Sequence, residues 1–120
     1  FDLVDILGTL QSLVVGSTWR CNDLWVTGRN GIDPVELETA SHVEQGATIT
    51  NEALSTFAAD ISQTIDGEFS AMWPGQRQPW LVIRAVDSSW WEIFSDEPRV
   101  FDALRTRFTD LRDVDGVPQN

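Results

Sequence analysis

Residues 80–94 carry the clearest alternation of apolar and polar positions in the chain. Leu81, Ile83 and Ala85 fall on one side of an extended segment; Trp80, Val82, Arg84 and Val86 fall on the other. Their β-branched and aromatic content suits a pleated, half-buried surface. Asp87-Ser88-Ser89 then reads as a turn, because Asp and Ser side chains bond their own backbone. A three-residue loop sets Arg84 opposite Glu92 and leaves Leu81, Ile83, Ala85, Trp91 and Ile93 as one apolar face. A two-residue loop would set Arg84 opposite Ile93 and place Glu92 on that face. A slip of one residue turns a whole strand over. Charge pairing across the strands therefore favours the three-residue loop.

The other elements follow from periodicity. Leu3, Ile6, Leu7, Leu10, Leu13 and Val14 recur at helical spacing and predict a helix over 2–15, with Asp2 and Asp5 at its start and Gly16 as its stop. Residues 18–27 predict a strand, and Asn22-Asp23 breaks its alternation, so a bulge or bend is expected there. Residues 28–31 and Asp33-Pro34 predict turn and loop. Val35, Leu37 and Thr39 alternate with Glu36 and Glu38, the pattern of a one-sided strand with an acidic outer face. Residues 41–48 predict loop. Leu54, Phe57, Ala58, Ile61 and Ile65 predict a helix over 51–65, capped by Thr50 or Asn51 and followed by Gly67. A strand is expected over 67–73, with Phe69, Ala71 and Trp73 on one face, and Pro74-Gly75 turns the chain. A last helix begins near Asp96-Glu97-Pro98 and buries Val100, Phe101, Leu104, Phe108 and Leu111. On its outer side, Arg99 with Asp102 and Asp102 with Arg105 are spaced to pair.

The order α-β-β-α-β-β-β-α predicts an α+β fold: a mostly antiparallel sheet of about five strands, with three helices packed on one face. Residues 1–114 are expected to form a single compact domain and 115–120 a frayed tail. The 120 residues are 42% hydrophobic, enough for a real core. No apolar run is long enough to cross a membrane as a helix. The chain opens on Phe1 rather than Met, and whether a leader precedes it is left open.

Charge narrows the function classes. The formal net charge is -11, which argues against nucleic acid and favours encounter with a basic partner. Mere solubility explains the same charge. All eight basic residues are Arg; Lys and Tyr are absent. The single cysteine, Cys21, cannot form an internal disulfide, and with one His it cannot build a Cys/His zinc site within one chain. It is expected to be a small core residue in a reducing, cytoplasmic compartment. Neither cofactor nor metal is expected. No phosphate loop, dinucleotide fingerprint or nucleophile elbow occurs. Asp110, Asp113 and Asp115 lack the spacing of a calcium loop and read as a solvated tail.

The binding candidates are Trp80, Arg84, Trp90, Glu36 and Glu38. Trp90 and Trp91 are adjacent on one strand and must face opposite ways. The favoured register groups Trp80 and Trp90 with Arg84 on the side away from the core. That arrangement is either a binding surface or an Arg held by cation–π contact. Glu36 and Glu38 would share a strand face, with Glu68 a possible neighbour; a solvated face explains them without metal or acid–base chemistry. The expectation is a non-catalytic protein-binding module, analogous in size and charge to acidic inhibitors and immunity proteins. The alternatives are a small-molecule or carbohydrate binder with a Trp-lined pocket, and a subunit whose Trp patch makes a homodimer.

Overall fold

A computed structural model describes residues 2–28 and 35–108. The turn expected at 29–31, the loop at 33–34, Leu111, the Asp110–Asp115 run and the tail lie outside the described residues. The chain folds as α1 (Leu3–Thr9), α2 (Gln11–Val14), β1 (Thr18–Gly28), α3 (Val35–Ser41), β2 (Ala47–Thr50), α4 (Asn51–Asp60), β3 (Ile61–Met72), β4 (Leu81–Val86), β5 (Trp90–Ser95) and α5 (Pro98–Arg107). The five strands form one antiparallel sheet in the order β2-β1-β3-β4-β5. This is the α+β architecture that the sequence predicts, with two short helices besides the expected ones.

The first helix starts where expected and breaks early. Asp2 and Asp5 form a capping box. The Asp2 carboxylate also accepts from the Thr64 amide at 3.0 Å and the Thr64 hydroxyl at 2.7 Å, which ties the helix start to β3. The helix ends at Thr9, whose hydroxyl donates back to the Asp5 carbonyl at 2.8 Å, and Leu10 leaves helical geometry. Seven residues do not hold a helix alone. Leu3, Ile6 and Leu10 are fully buried, and such side chains contribute about 1.5–3 kcal/mol each.

The core lies on one face of the sheet. Trp19, Cys21, Leu24, Phe69, Ala71, Leu81 and Ile83 point from β1, β3 and β4 into one cluster with Leu3, Ile6, Leu10, Leu54, Val100 and Leu104 from the helices. Trp19 is wholly buried, and its indole Nε1 donates to Asn51 Oδ1 at 2.9 Å. The β4–β5 hairpin has the predicted register: Arg84 opposite Glu92, Ile83 opposite Ile93 and Ala85 opposite Trp91. Two of its three loop residues are pinned to β3, since the Asp87 amide donates to Asp66 Oδ1 and the Ser88 amide to the Ile65 carbonyl, both at 2.8 Å.

Two segments correct the sequence reading. Residues 61–65 belong to β3, not to the second helix. Ile61 and Ile65 do continue the helical spacing, but Ile-Ser-Gln-Thr-Ile is poor in helix formers and rich in β-branched residues. As the central strand, β3 pairs on both sides, with β1 and with β4. Gly67 then lies within β3 rather than after a helix. Its φ of +153° disfavours other residues, and an added Cβ would stand 2.5 Å from Leu24 Cδ2.

The other correction is α3, expected as a strand with Glu36 and Glu38 side by side. Here it is a helix, and those residues are about 200° apart around its axis. On the side away from β3 the strand that lines β1 is β2, which begins within the stretch expected as loop, and it covers only Thr18 to Cys21. Beyond Cys21, on the side away from β3, the backbone of Leu24 and Val26 finds partners in α3 and His42. The Leu24 amide donates to Ser41 Oγ at 2.9 Å and the Val26 amide to Glu38 Oε2 at 3.0 Å, while the Leu24 carbonyl lies 2.9 Å from His42 Nε2. A second strand there would leave these three side chains without that work.

Candidate functional site

The face of the sheet turned away from the core carries no helix layer among the described residues. Glu68, Arg84 and Glu92 are cross-strand neighbours on β3, β4 and β5. Arg84 bridges the two acids, with Nη2 2.7 Å from Glu68 Oε1 and Nη1 3.4 Å from Glu92 Oε1. Its guanidinium carbon stands 5.5 Å from the centre of the Phe94 ring, so the cation–π partner is Phe94 rather than a tryptophan. Ser70, Val82 and Phe94 form the adjoining row.

The aromatic end of this face is built by a bulge. Asn22 pairs with Glu68 and Trp25 with Asp66, so β1 spends three residues where β3 spends two. Asp23 takes up the difference with φ +55°. The extra residue reverses the parity: Leu24 turns into the core and Trp25 turns out. Trp25 is 55% exposed and packs edge-on against His42, with ring centroids 5.0 Å apart. Trp90, opposite Val86, stands at the same end and is also 55% exposed. Its Nε1 donates to Glu92 Oε2 at 3.2 Å. Three strand spacings separate the two indoles, about 14 Å. Asp23, Asp66 and Asp87 border them.

The predicted residues are thus only partly brought together. Arg84 and Trp90 share the outer face. Trp80 does not join them: it precedes β4, roughly 20 Å along the hairpin from Trp90. Trp80 packs against the core cluster, its Nε1 donates to Ser17 Oγ at 3.1 Å, and it stacks on Trp73 with centroids 4.8 Å apart and planes 3° from parallel. Glu38 binds the β1 backbone, and Glu36 is exposed on α3. Trp25 was missed. The broken alternation at Asn22-Asp23 was the signal, because a bulge reverses every side chain that follows it.

An open groove of about 390 Å³ runs beside the Trp73–Trp80 stack, bordered by Leu13, Pro79, Asp96, Glu97 and Arg99. Hydrogen bonds from Arg99 hold the Glu97 carboxyl below its usual range. Cys21 is buried, and desolvation pushes its thiol up to about 12. Among the described residues, no three His, Cys, Asp or Glu side chains stand close enough to hold a metal ion, and no helix is long and apolar enough to cross a membrane. Comparison with known proteins returns no matching family model, no matching curated protein and no matching solved structure.

Proposed function

We propose that this chain is a non-catalytic protein-binding module that takes a basic partner on its outer sheet face, in the manner of an acidic inhibitor or immunity protein. The observation behind this reading is the end of that face, where two half-exposed tryptophans stand among three carboxylates. Large rigid indoles are the usual anchors of protein interfaces, and an Arg or Lys can lie on an indole while a carboxylate holds its charge. The net charge of -11 would speed encounter at low salt.

The test is capture of partners from native lysate at low and moderate salt, with the wild-type chain and with a Trp25→Ala/Trp90→Ala variant. One basic protein, weakened by salt and lost with the variant, supports the reading. Capture that is flat across salt, or indifferent to the two tryptophans, removes it. The Trp73–Trp80 groove favours a second reading, a small-molecule or carbohydrate binder with an aromatic wall and acids as hydroxyl acceptors. Quenching of Trp fluorescence by oligosaccharides, abolished by Trp73→Ala, would favour it instead.

A further inference from the structure

The two sides of the sheet are treated differently. On the β2 side, the edge strand is only four residues long, and beyond it the Leu24 amide and carbonyl and the Val26 amide of β1 are met by Ser41, His42 and Glu38. These are ordinary ways of closing an edge. On the other side β5 ends the sheet and pairs only with β4 among the described residues. Alternate residues of β5 therefore turn amide and carbonyl groups outward. The strand carries few of the usual guards: no Pro, no Lys and a single acid. It is also unfinished as packing, for no residue of β5 is buried, whereas Leu81, Val82, Ile83 and Ala85 of β4 are.

We propose that β5 is a docking edge that accepts an extended, basic segment of the protein partner as a sixth strand. The inference rests on the binding reading above for the partner's basic character. Charge supplies the specificity. Glu68, Arg84 and Glu92 alternate in sign from strand to strand, and the next position in that row lies opposite Glu92 on the incoming strand. An Arg or Lys there continues the alternation. Glu92 has acceptor capacity to spare, since its two oxygens take one contact each, from Arg84 and from Trp90. On the inner face, apolar residues of the incoming strand would complete the burial of Trp91 and Ile93, both only partly buried. Backbone pairing then gives affinity and the alternating side chains give selectivity.

A second copy of this chain fits the edge less well. Directly opposed residues of an antiparallel pair share a face. A two-fold pairing of β5 with itself, helix layers on the same side, sets Glu92 against Trp90, Glu92 or Phe94 of the copy. None of these is a cation.

The experiment is amide hydrogen exchange by NMR on the intact chain with a blocked seven-residue peptide alternating valine and lysine. A valine–glutamate peptide of the same pattern is the control. The lysine peptide is expected to slow exchange of the outward amides of β5 and not those of Leu24 and Val26. Glu92→Gln should weaken it about two- to five-fold, the worth of one exposed ion pair. Binding without protection at β5, or no binding, overturns strand addition; neither touches the salt-dependent capture that tests the binding reading. Equal protection by the glutamate peptide overturns the charge selectivity. Protection at β5 that grows with protein concentration before any peptide is added gives the edge to a second copy and overturns the proposal.

Discussion

Arg84→Met tests the organisation of the outer face. The substitution keeps the stem and removes the charge. Two contacts vanish, to Glu68 at 2.7 Å and to Glu92 at 3.4 Å. The three side chains are 31%, 32% and 20% exposed, so each pair contributes about 0.2–1 kcal/mol rather than more. The guanidinium over Phe94 adds about 0.5–1 kcal/mol. What remains is two carboxylates flanking β4, roughly 10 Å apart by strand spacing. At that distance their repulsion is about 0.4 kcal/mol in water-like dielectric and about 1.7 kcal/mol near a protein surface. That repulsion is there in the wild type too and does not add to the loss, so the combined loss is the two pairs and the ring contact, about 1–3 kcal/mol, or ~4–12 °C in Tm for a chain of this size. Urea and thermal unfolding followed by circular dichroism at low salt would measure it. Glu68→Gln/Glu92→Gln in the Arg84→Met background should recover about 1 kcal/mol, because the repulsion goes with the charges. High salt should shrink the defect of the single variant. An Arg84→Met protein within 0.5 kcal/mol of wild type would refute the account, and so would a triple variant no more stable than the single one.

Three further outcomes are expected. Asn51→Leu leaves the buried Trp19 Nε1 without its acceptor and should cost about 1–3 kcal/mol in urea unfolding, while Asn51→Asp, which keeps the oxygen, should cost clearly less. Gly67→Ala forces an unfavourable φ of +153° and sets a methyl against the fully buried Leu24, for a loss of about 1–3 kcal/mol in the same assay. Burial raises the Cys21 thiol from 9.0 to about 12, so its neutral form stabilises the fold below pH 9, and that stability is lost as pH climbs from 9 to about 12. With no Lys and no Tyr in the chain, Cys21→Ala should flatten stability across that window, measured by urea midpoints at successive pH values.

How much was legible depended on where the determining partner lies along the chain. The β4–β5 register could be read because both strands, the turn and the charge pair Arg84–Glu92 sit within fifteen residues. The α5 cap at Glu97-Pro98 and the α1 box at Asp2 and Asp5 are equally local. The misread segments are those decided at a distance. Val35–Ser41 alternates like a strand, but its conformation answers to amides on β1, more than ten residues upstream. Ile61 and Ile65 continue a helical stripe, but β1 and β4 pair with the chain there and near it. Of the candidate site, Arg84 and Trp90 were placed by the hairpin alone. Trp80 was misplaced because alternation was carried one residue beyond the end of β4. Trp25 was overlooked because one bulged residue reverses its face.

That bulge also links the closed edge to the open face. Turning Leu24 inward fills the space that Gly67 leaves by having no side chain, and that close approach is what an added Cβ at Gly67 would spoil. The same step lifts Trp25 onto the outer face and leaves the amides of Leu24 and Val26 beyond the reach of β2, which ends its pairing at Cys21. A helix presenting Ser41 and Glu38, with His42 just after it, can serve a kinked stretch that a regular strand could not follow. Strand β5 has no such irregularity. It runs straight through six paired residues and keeps an even outward row of backbone groups. A regular edge can accept another strand and a bulged one resists it. The feature that exposes Trp25 therefore also confines strand addition to the opposite side of the sheet, where Trp90 and Glu92 stand.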